Sequence, residues 1–329
     1  MNALYAFLAV VALVLIALIG VGAGGNYVFA VILPYAAALI FIVGFIAKVI
    51  GWARTPVPFR VPTTCGQQRS LPWIKKNGLE SPFTGLEVIA RMFLEVFCFR
   101  SLFRNTEQEL LKGPRLTYSS SKYLWIGAIA FHYCFLVILL RHFRFFTEPV
   151  PFFVSYLQLF DGFMQISLPV LYISNIVILG ALGYLFVRRI WDSRLRYLSL
   201  PSDYFALFLL MGIALSGILM RYFEKTDVVG IKELAMGLFR LSPTVPVTIG
   251  LAFYVHFFLV TILVAYFPFS KLMHMPGVFM SPTRNLANNN RARRHINPWN
   301  PKVKLHSYEE YEDEFRDKMV AAGVPVEKE

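Results

Sequence analysis

Long apolar runs separated by basic connections set the pattern of this chain. Crossing a bilayer takes about 20 predominantly apolar helical residues. Six segments meet that length: residues 4–22, 27–50, 123–140, 166–187, 204–220 and 247–269. The first could pass for a signal peptide, but no basic stretch precedes it. Only a Gly-rich turn at residues 22–26 separates it from the second, which predicts an uncleaved helical hairpin.

The polar connections predict orientation. Ten Lys and Arg residues lie from Arg54 to Arg115, against five acidic ones. Arg188, Arg189, Arg194 and Arg196 follow the fourth span, and seven more basic residues, from Lys271 to Lys304, follow the sixth. Six crossings put these stretches on one side. By the positive-inside rule that side is the cytoplasm, with both termini inside and the protein in the inner (cytoplasmic) membrane. The opposite connections, residues 144–164 and 222–246, are more balanced in charge.

Four regions follow: a hairpin (1–50), a basic loop (51–121), a four-helix core (122–275) and a C-terminal tail (276–329). After Pro56, Pro58 and Pro62 the loop runs into an amphipathic segment, 85–104, where Glu87, Arg91 and Glu95 recur every four residues. One narrow polar face suits a helix in the membrane interface, a helix beneath a partner, or a connecting helix with a solvated face. The basic loops and this helix are the expected surface for a cytoplasmic partner. The tail is polar, then acidic around residues 308–317, and reads either as a docking strap or as a disordered end.

Composition agrees with the pattern. With 57% hydrophobic and 16% charged residues and a mean hydropathy of +0.56, the chain is too apolar for a soluble globule. A net charge of +12 would suggest nucleic acid, but its placement at span ends points to membrane lipid instead, and no nucleic-acid partner is expected. Cys65, Cys98 and Cys134 form neither a CxxC pair nor a covalent haem motif, and Cys134, inside an apolar run, is expected in the core.

The chemistry lies in the histidines. His132 sits midway along the third span and His142 ten residues later at its far end. His256 sits in the sixth span and His274 eighteen residues later, past its end. Taken singly, a histidine at membrane depth is more often a hydrogen-bonded contact or a proton relay. Two on each of two antiparallel helices favour haem ligation. Antiparallel pairing matches His132 with His274 on the cytoplasmic side and His142 with His256 on the outer side. At 1.5 Å per residue the two spacings rise about 15 Å and about 27 Å, so the sixth helix must be irregular between His256 and His274, near Pro268. His295 and His306, in the polar tail, are expected at the surface.

The spacings and order of these histidines resemble those of the gamma subunit of respiratory nitrate reductase, a membrane diheme cytochrome b, over residues 120–275. That family has five spans where this chain has six. The hairpin, RSLPWIKKN (residues 69–77) and FTGLEVIARMFLEVFCFRSLFRNT (residues 83–106) are similar to DsrM, the cytochrome b family of the sulfite-reduction-associated membrane complex. The resemblance implies an all-α integral membrane protein of six transmembrane helices, four of them a diheme cytochrome b bundle. It implies two haem b groups held by His132, His142, His256 and His274, and menaquinol or menaquinone as electron donor or acceptor. Implied partners are a cytoplasmic iron–sulfur subunit like the catalytic subunit of heterodisulfide reductase, and further membrane and periplasmic subunits of a complex in dissimilatory sulfur metabolism.

Two bis-histidine irons leave no open position, so the expected role is electron transfer within a quinone-linked oxidoreductase. Arg141 and Arg144 flank His142 and are candidates either for haem propionates or as interfacial anchors. Arg144, Asp161 and Gln165 are candidates for an outer quinone site, and a cytoplasmic one stays open. Competing readings are a related complex's cytochrome b, a haem-free transporter with a histidine proton relay, and a haem-free anchor.

Overall fold

In a computed structural model, residues 1–55, 73, 75–113, 115–162, 169–289, 293 and 305–327 are described. Cys65, Gln165 and His295 lie outside them. Six helices among the described residues are long and apolar enough to cross a membrane, and the protein is a multi-pass membrane protein. Their outward faces carry large apolar side chains such as Leu15, Ile19, Val43, Ile126, Leu139 and Leu215, each around half exposed or more. A surface of that kind is stable only in lipid.

The first two spans are α1 (Asn2–Gly22) and, after a π-helical turn at Val28–Ile32, α2 (Leu33–Ala53). Their tight turn depends on glycine: Gly24 has φ +89°, and a Cβ on Gly25 would sit 2.7 Å from the carbonyl oxygen of Gly20. In the basic loop, α3 (Gly85–Cys98) opens with a reciprocal cap between Thr84 and Glu87. It breaks at Phe99, whose φ of 49° is left-handed, and α4 (Arg100–Phe103) follows. Strands β1 (Thr106–Leu111) and β2 (Arg115–Ser120) then form an antiparallel hairpin that the apolar pattern did not reveal.

The core spans are α5 (Lys122–His142), α7 (Ile173–Trp191), α9 (Pro201–Tyr222) and α11 (Leu251–Tyr266). Between them lie α6 (Phe152–Asp161), α8 (Ser193–Leu198) and α10 (Val228–Phe239). After α11 come α12 (His274–Gly277), α13 (Pro282–Asn285) and α14 (Tyr308–Ala321). Two spans start later than their apolar runs. α7 begins at Ile173 rather than 166, behind an extended Tyr172 that follows Pro169. α11 begins at Leu251 rather than 247, behind an extended Gly250 at its N-cap.

Within the bundle α5 packs on α7, α7 on α9 and α9 on α11, so α5 and α11 are its first and last staves. The hairpin is part of this body. Val10, Ala17, Phe29 and Ala30 share one buried cluster with Leu209, Tyr254, Phe258 and Leu259. A second cluster of Ile178, Leu182 and Leu210 takes in Phe131, Phe135 and Cys134 from α5, as expected for that cysteine.

α3 is turned inside out relative to a solvated connecting helix. Arg91 and Glu95 are only 5% and 7% exposed, whereas Leu86 is 77% and Phe93 58% exposed. The solvated-face reading is therefore overturned: an Arg and a Glu go inside because partners wait there. Arg91 donates to the carbonyl of Glu80 at 2.8 Å, and Glu95 accepts from the backbone N–H and hydroxyl of Ser101 at 3.0 and 2.6 Å. The start of the tail straps this loop. The Asn288 amide side chain donates to Ser81 Oγ at 2.8 Å, and Asn289 donates to the Phe83 carbonyl at 3.2 Å. Farther on, α14 is an ordered helix capped by Ser307 and Glu310, not a disordered end. His306 stands 3.8 Å from Glu314 at its surface.

Candidate functional site

The helix carrying His256 does not continue straight to His274. α11 ends at Tyr266, a 3-10 turn holds Pro268, Ser270 is extended, and a second 3-10 turn leads to His274. Ser270 caps that turn by accepting from the N–H of Leu272 at 3.1 Å. The break is locked onto α2, where Pro268 covers Gly44 so closely that a Cβ there would lie 2.8 Å from the proline ring.

With the helix broken, the two ladders meet. His132 and His274, toward the basic side, have ring centroids 5.9 Å apart with planes at 85°. His142 and His256, toward the opposite side, have centroids 6.4 Å apart with planes at 14°. Phe99, at the left-handed break after α3, meets the His132 ring edge-on at 5.0 Å. The basic loop therefore packs directly on the near pair, helped by the Trp125 indole donating to the Cys98 carbonyl at 2.8 Å.

Each imidazole is held by its Nδ1. His132 lies 2.7 Å from the Ala128 carbonyl, His142 2.7 Å from that of Ile138, and His274 2.8 Å from that of Lys271. A carbonyl only accepts, so Nδ1 carries the proton and Nε2 keeps a free lone pair. His256 reaches the same state through Ser216, whose hydroxyl donates to the Gly212 carbonyl at 2.7 Å and faces His256 Nδ1 at 2.9 Å. Beside it Gly217 makes room for the ring, since a Cβ there would touch His256 Cε1 at 3.3 Å. Ser216 and Gly217 were not legible as site residues, because a Ser–Gly pair in an apolar run carries no distinctive signal.

This arrangement fits a bis-histidine metal. Two imidazoles on opposite sides of one ion, with metal–nitrogen bonds of about 2 Å, put their ring centroids roughly 6 Å apart. Among the described residues no group of three or more His, Cys, Asp or Glu side chains converges as a bare-ion site requires. A pair of histidines is the protein's whole share where a macrocycle supplies the other ligands.

The flanking candidates are partly committed elsewhere. Arg141 forms a buried ion pair with Asp161, and Asp161 also accepts from the N–H and hydroxyl of Ser174 at 2.7 and 2.6 Å. The Arg141 guanidinium lies 3.6 Å over the Tyr172 ring. These contacts latch α6 and the start of α7 to the end of α5, next to His142. Arg144 is half-buried, with its guanidinium 5.9 Å from the Phe145 ring. An open apolar groove of about 500 Å³ lies alongside, lined by Leu140, Phe152, Phe153, Tyr156, Leu157 and Phe160.

The fold and the paired histidines define a polytopic membrane protein of the cytochrome b type in architecture. Residues 92–294, more than half of the chain, match the nitrate reductase gamma subunit family, and the chain belongs to that family. It is 50% identical over 281 residues to the Hdr-like menaquinol oxidoreductase cytochrome b-like subunit of Archaeoglobus fulgidus, covering 83% of this chain and 84% of the relative. It is 41% identical over 280 residues to the protein of the same name from Archaeoglobus profundus, covering 83% of each.

Proposed function

We propose that this chain is the diheme cytochrome b subunit of a menaquinol-linked oxidoreductase complex. His142 and His256 would hold an outer haem b, and His132 and His274 an inner one. The observation that carries the reading is the juxtaposition of both pairs at centroid distances of 5.9 and 6.4 Å, with every Nδ1 anchored. The names of the two Archaeoglobus relatives support the menaquinol link and an Hdr-like assembly. Bound haems supply a one-electron relay between the two faces of the membrane. His142 with His256 and His132 with His274 would hold the two groups, which would then pass electrons without doing bond chemistry at the metal.

In this reading the basic side faces the cytoplasm, where the loop and α3 would meet an iron–sulfur subunit resembling the heterodisulfide reductase catalytic subunit. The resemblance of residues 69–77 and 83–106 to the DsrM family supports a role of the complex, with other membrane and periplasmic subunits, in dissimilatory sulfur metabolism. The aromatic groove along α6 suits the isoprenoid part of a menaquinol, with Arg144 and Asp161 as candidates near its head; Gln165, the third candidate, lies outside the described residues. Asp161 is already occupied by Arg141 and Ser174, so its part there is to position the groove rather than to accept a proton. Outer quinol oxidation would leave protons outside while electrons move inward, each against about 2.3 kcal/mol per 100 mV of membrane potential.

The test is spectroscopic. Reduced-minus-oxidised spectra of the purified complex should show a sharp b-type alpha band and two redox steps. A colourless chain from haem-replete cells would refute the reading. Replacing His142 or His256 by Ala should remove the outer step and leave the inner one, and the opposite result would show that the pairs are assigned to the wrong haems.

A further inference from the structure

We propose that Arg221 binds a propionate carboxylate of the outer haem; this rests on the reading of His142 and His256 as that haem's ligands. Gly217 of α9 faces the His256 ring, where a Cβ on it would stand 3.3 Å from His256 Cε1. Arg221 lies four residues farther along the same helix, one turn toward its outer end and close to the same face. It therefore overhangs the rim of whatever His142 and His256 clamp between them.

Its surroundings call for an anion. The Arg221 guanidinium stands 4.0 Å from the centroid of the Tyr172 ring, and that of Arg141 stands 3.6 Å from the same centroid. Two cations therefore crowd one aromatic ring. The nearby carboxylate, Asp161, is taken by Arg141 and Ser174. Arg221 donates to the Val170 carbonyl at 3.2 Å, a neutral acceptor, while its buried Nε has no hydrogen-bond partner among the described residues. A second guanidinium at the edge of the membrane with an unused buried donor is costly to leave unpaired. A carboxylate answers both needs, since it neutralises the charge and accepts from Nε and a terminal nitrogen together. A neutral quinol would satisfy the donor and leave the charge.

Redox titration of the purified complex tests this, with the outer step identified as the one missing after His142→Ala. Arg221→Gln should keep both haems and move the outer midpoint to a lower potential, because removing a positive charge favours the oxidised iron, with the inner midpoint unmoved. Arg221→His provides a second route if the first variant does not accumulate: the outer midpoint should gain a pH dependence across the imidazole titration range. Unmoved midpoints in the Gln variant, or no added pH dependence in the His variant, would overturn the proposal. So would a raised KM for menaquinol with both midpoints unchanged, which would assign Arg221 to the quinol. Absence of haem from the unsubstituted complex would instead strike the diheme reading itself.

Discussion

At the scale of single residues, the histidines were legible because imidazoles at membrane depth are rare and costly, and their spacing on two spans stands out. Their supports were not. Ser216 acts from α9 on a histidine forty positions away, and nothing local in the sequence marks that meeting. Ser216→Ala would take from His256 its side-chain partner and leave only the Ile213 backbone, loosening the ring and making the proposed ligand less basic. Losses of this kind weaken metal retention by about 10- to 100-fold. The expected outcome is reduced outer-haem occupancy and a raised outer midpoint, with the inner haem unchanged, as measured by pyridine haemochrome and potentiometry. Arg141 teaches the same lesson from the other direction. As a neighbour of His142 it invited a propionate role, yet its charge is spent on Asp161 and its face on Tyr172.

At the scale of elements, the break after α11 decides whether the near histidine pair exists. A straight helix would carry residue 274 about 27 Å beyond residue 256, well past the level of His132. Pro268 announced the break in the sequence, but the α2 surface that seats it was invisible there. Gly44→Leu puts a side chain where 2.8 Å separates Cβ from the proline ring, so the break must shift. The inner redox step should be lost or displaced and the outer one kept; an unchanged two-step titration would count against this account.

The α3 region carries a pH prediction. Burial alone pushes the Glu80 carboxyl up, but the hydrogen bond and charge of Arg100, with Arg104 and Arg91, hold it below its ordinary value. A carboxylate with a depressed folded pKa contributes stability above its unfolded pKa and loses it as pH falls through the folded one. Hydrogen-exchange protection over residues 77–104, corrected for the intrinsic rate at each pH, should therefore hold at neutral pH and fall only in the acid range below the ordinary carboxylate pKa of about 4. A fall centred between pH 6 and 8 would point to another group.

At the scale of the whole molecule, six crossings put the N-terminus, the basic loop and the tail on one side, whichever side that is. The positive-inside rule predicts that this side is the cytoplasm. In a background with the native cysteines replaced, Gly113→Cys in the β-hairpin turn should resist a membrane-impermeant thiol reagent in intact cells. Thr147→Cys, beyond the far end of α5, should react. The reverse pattern would invert the direction of the proposed electron path.

Hydropathy and four histidines by themselves determined the number of spans, though not where the fourth and sixth begin, and the order in which the histidines meet, because burial in lipid is a local demand that each segment must meet by its own composition. Tertiary structure alone decided the rest: that the polar face of α3 turns inward, that a serine on α9 holds His256, and that Arg141 rather than Arg221 takes Asp161. Those outcomes depend on which donors and acceptors meet across helices, and a polar group at such depth is stable only beside a partner whose distance in sequence is arbitrary.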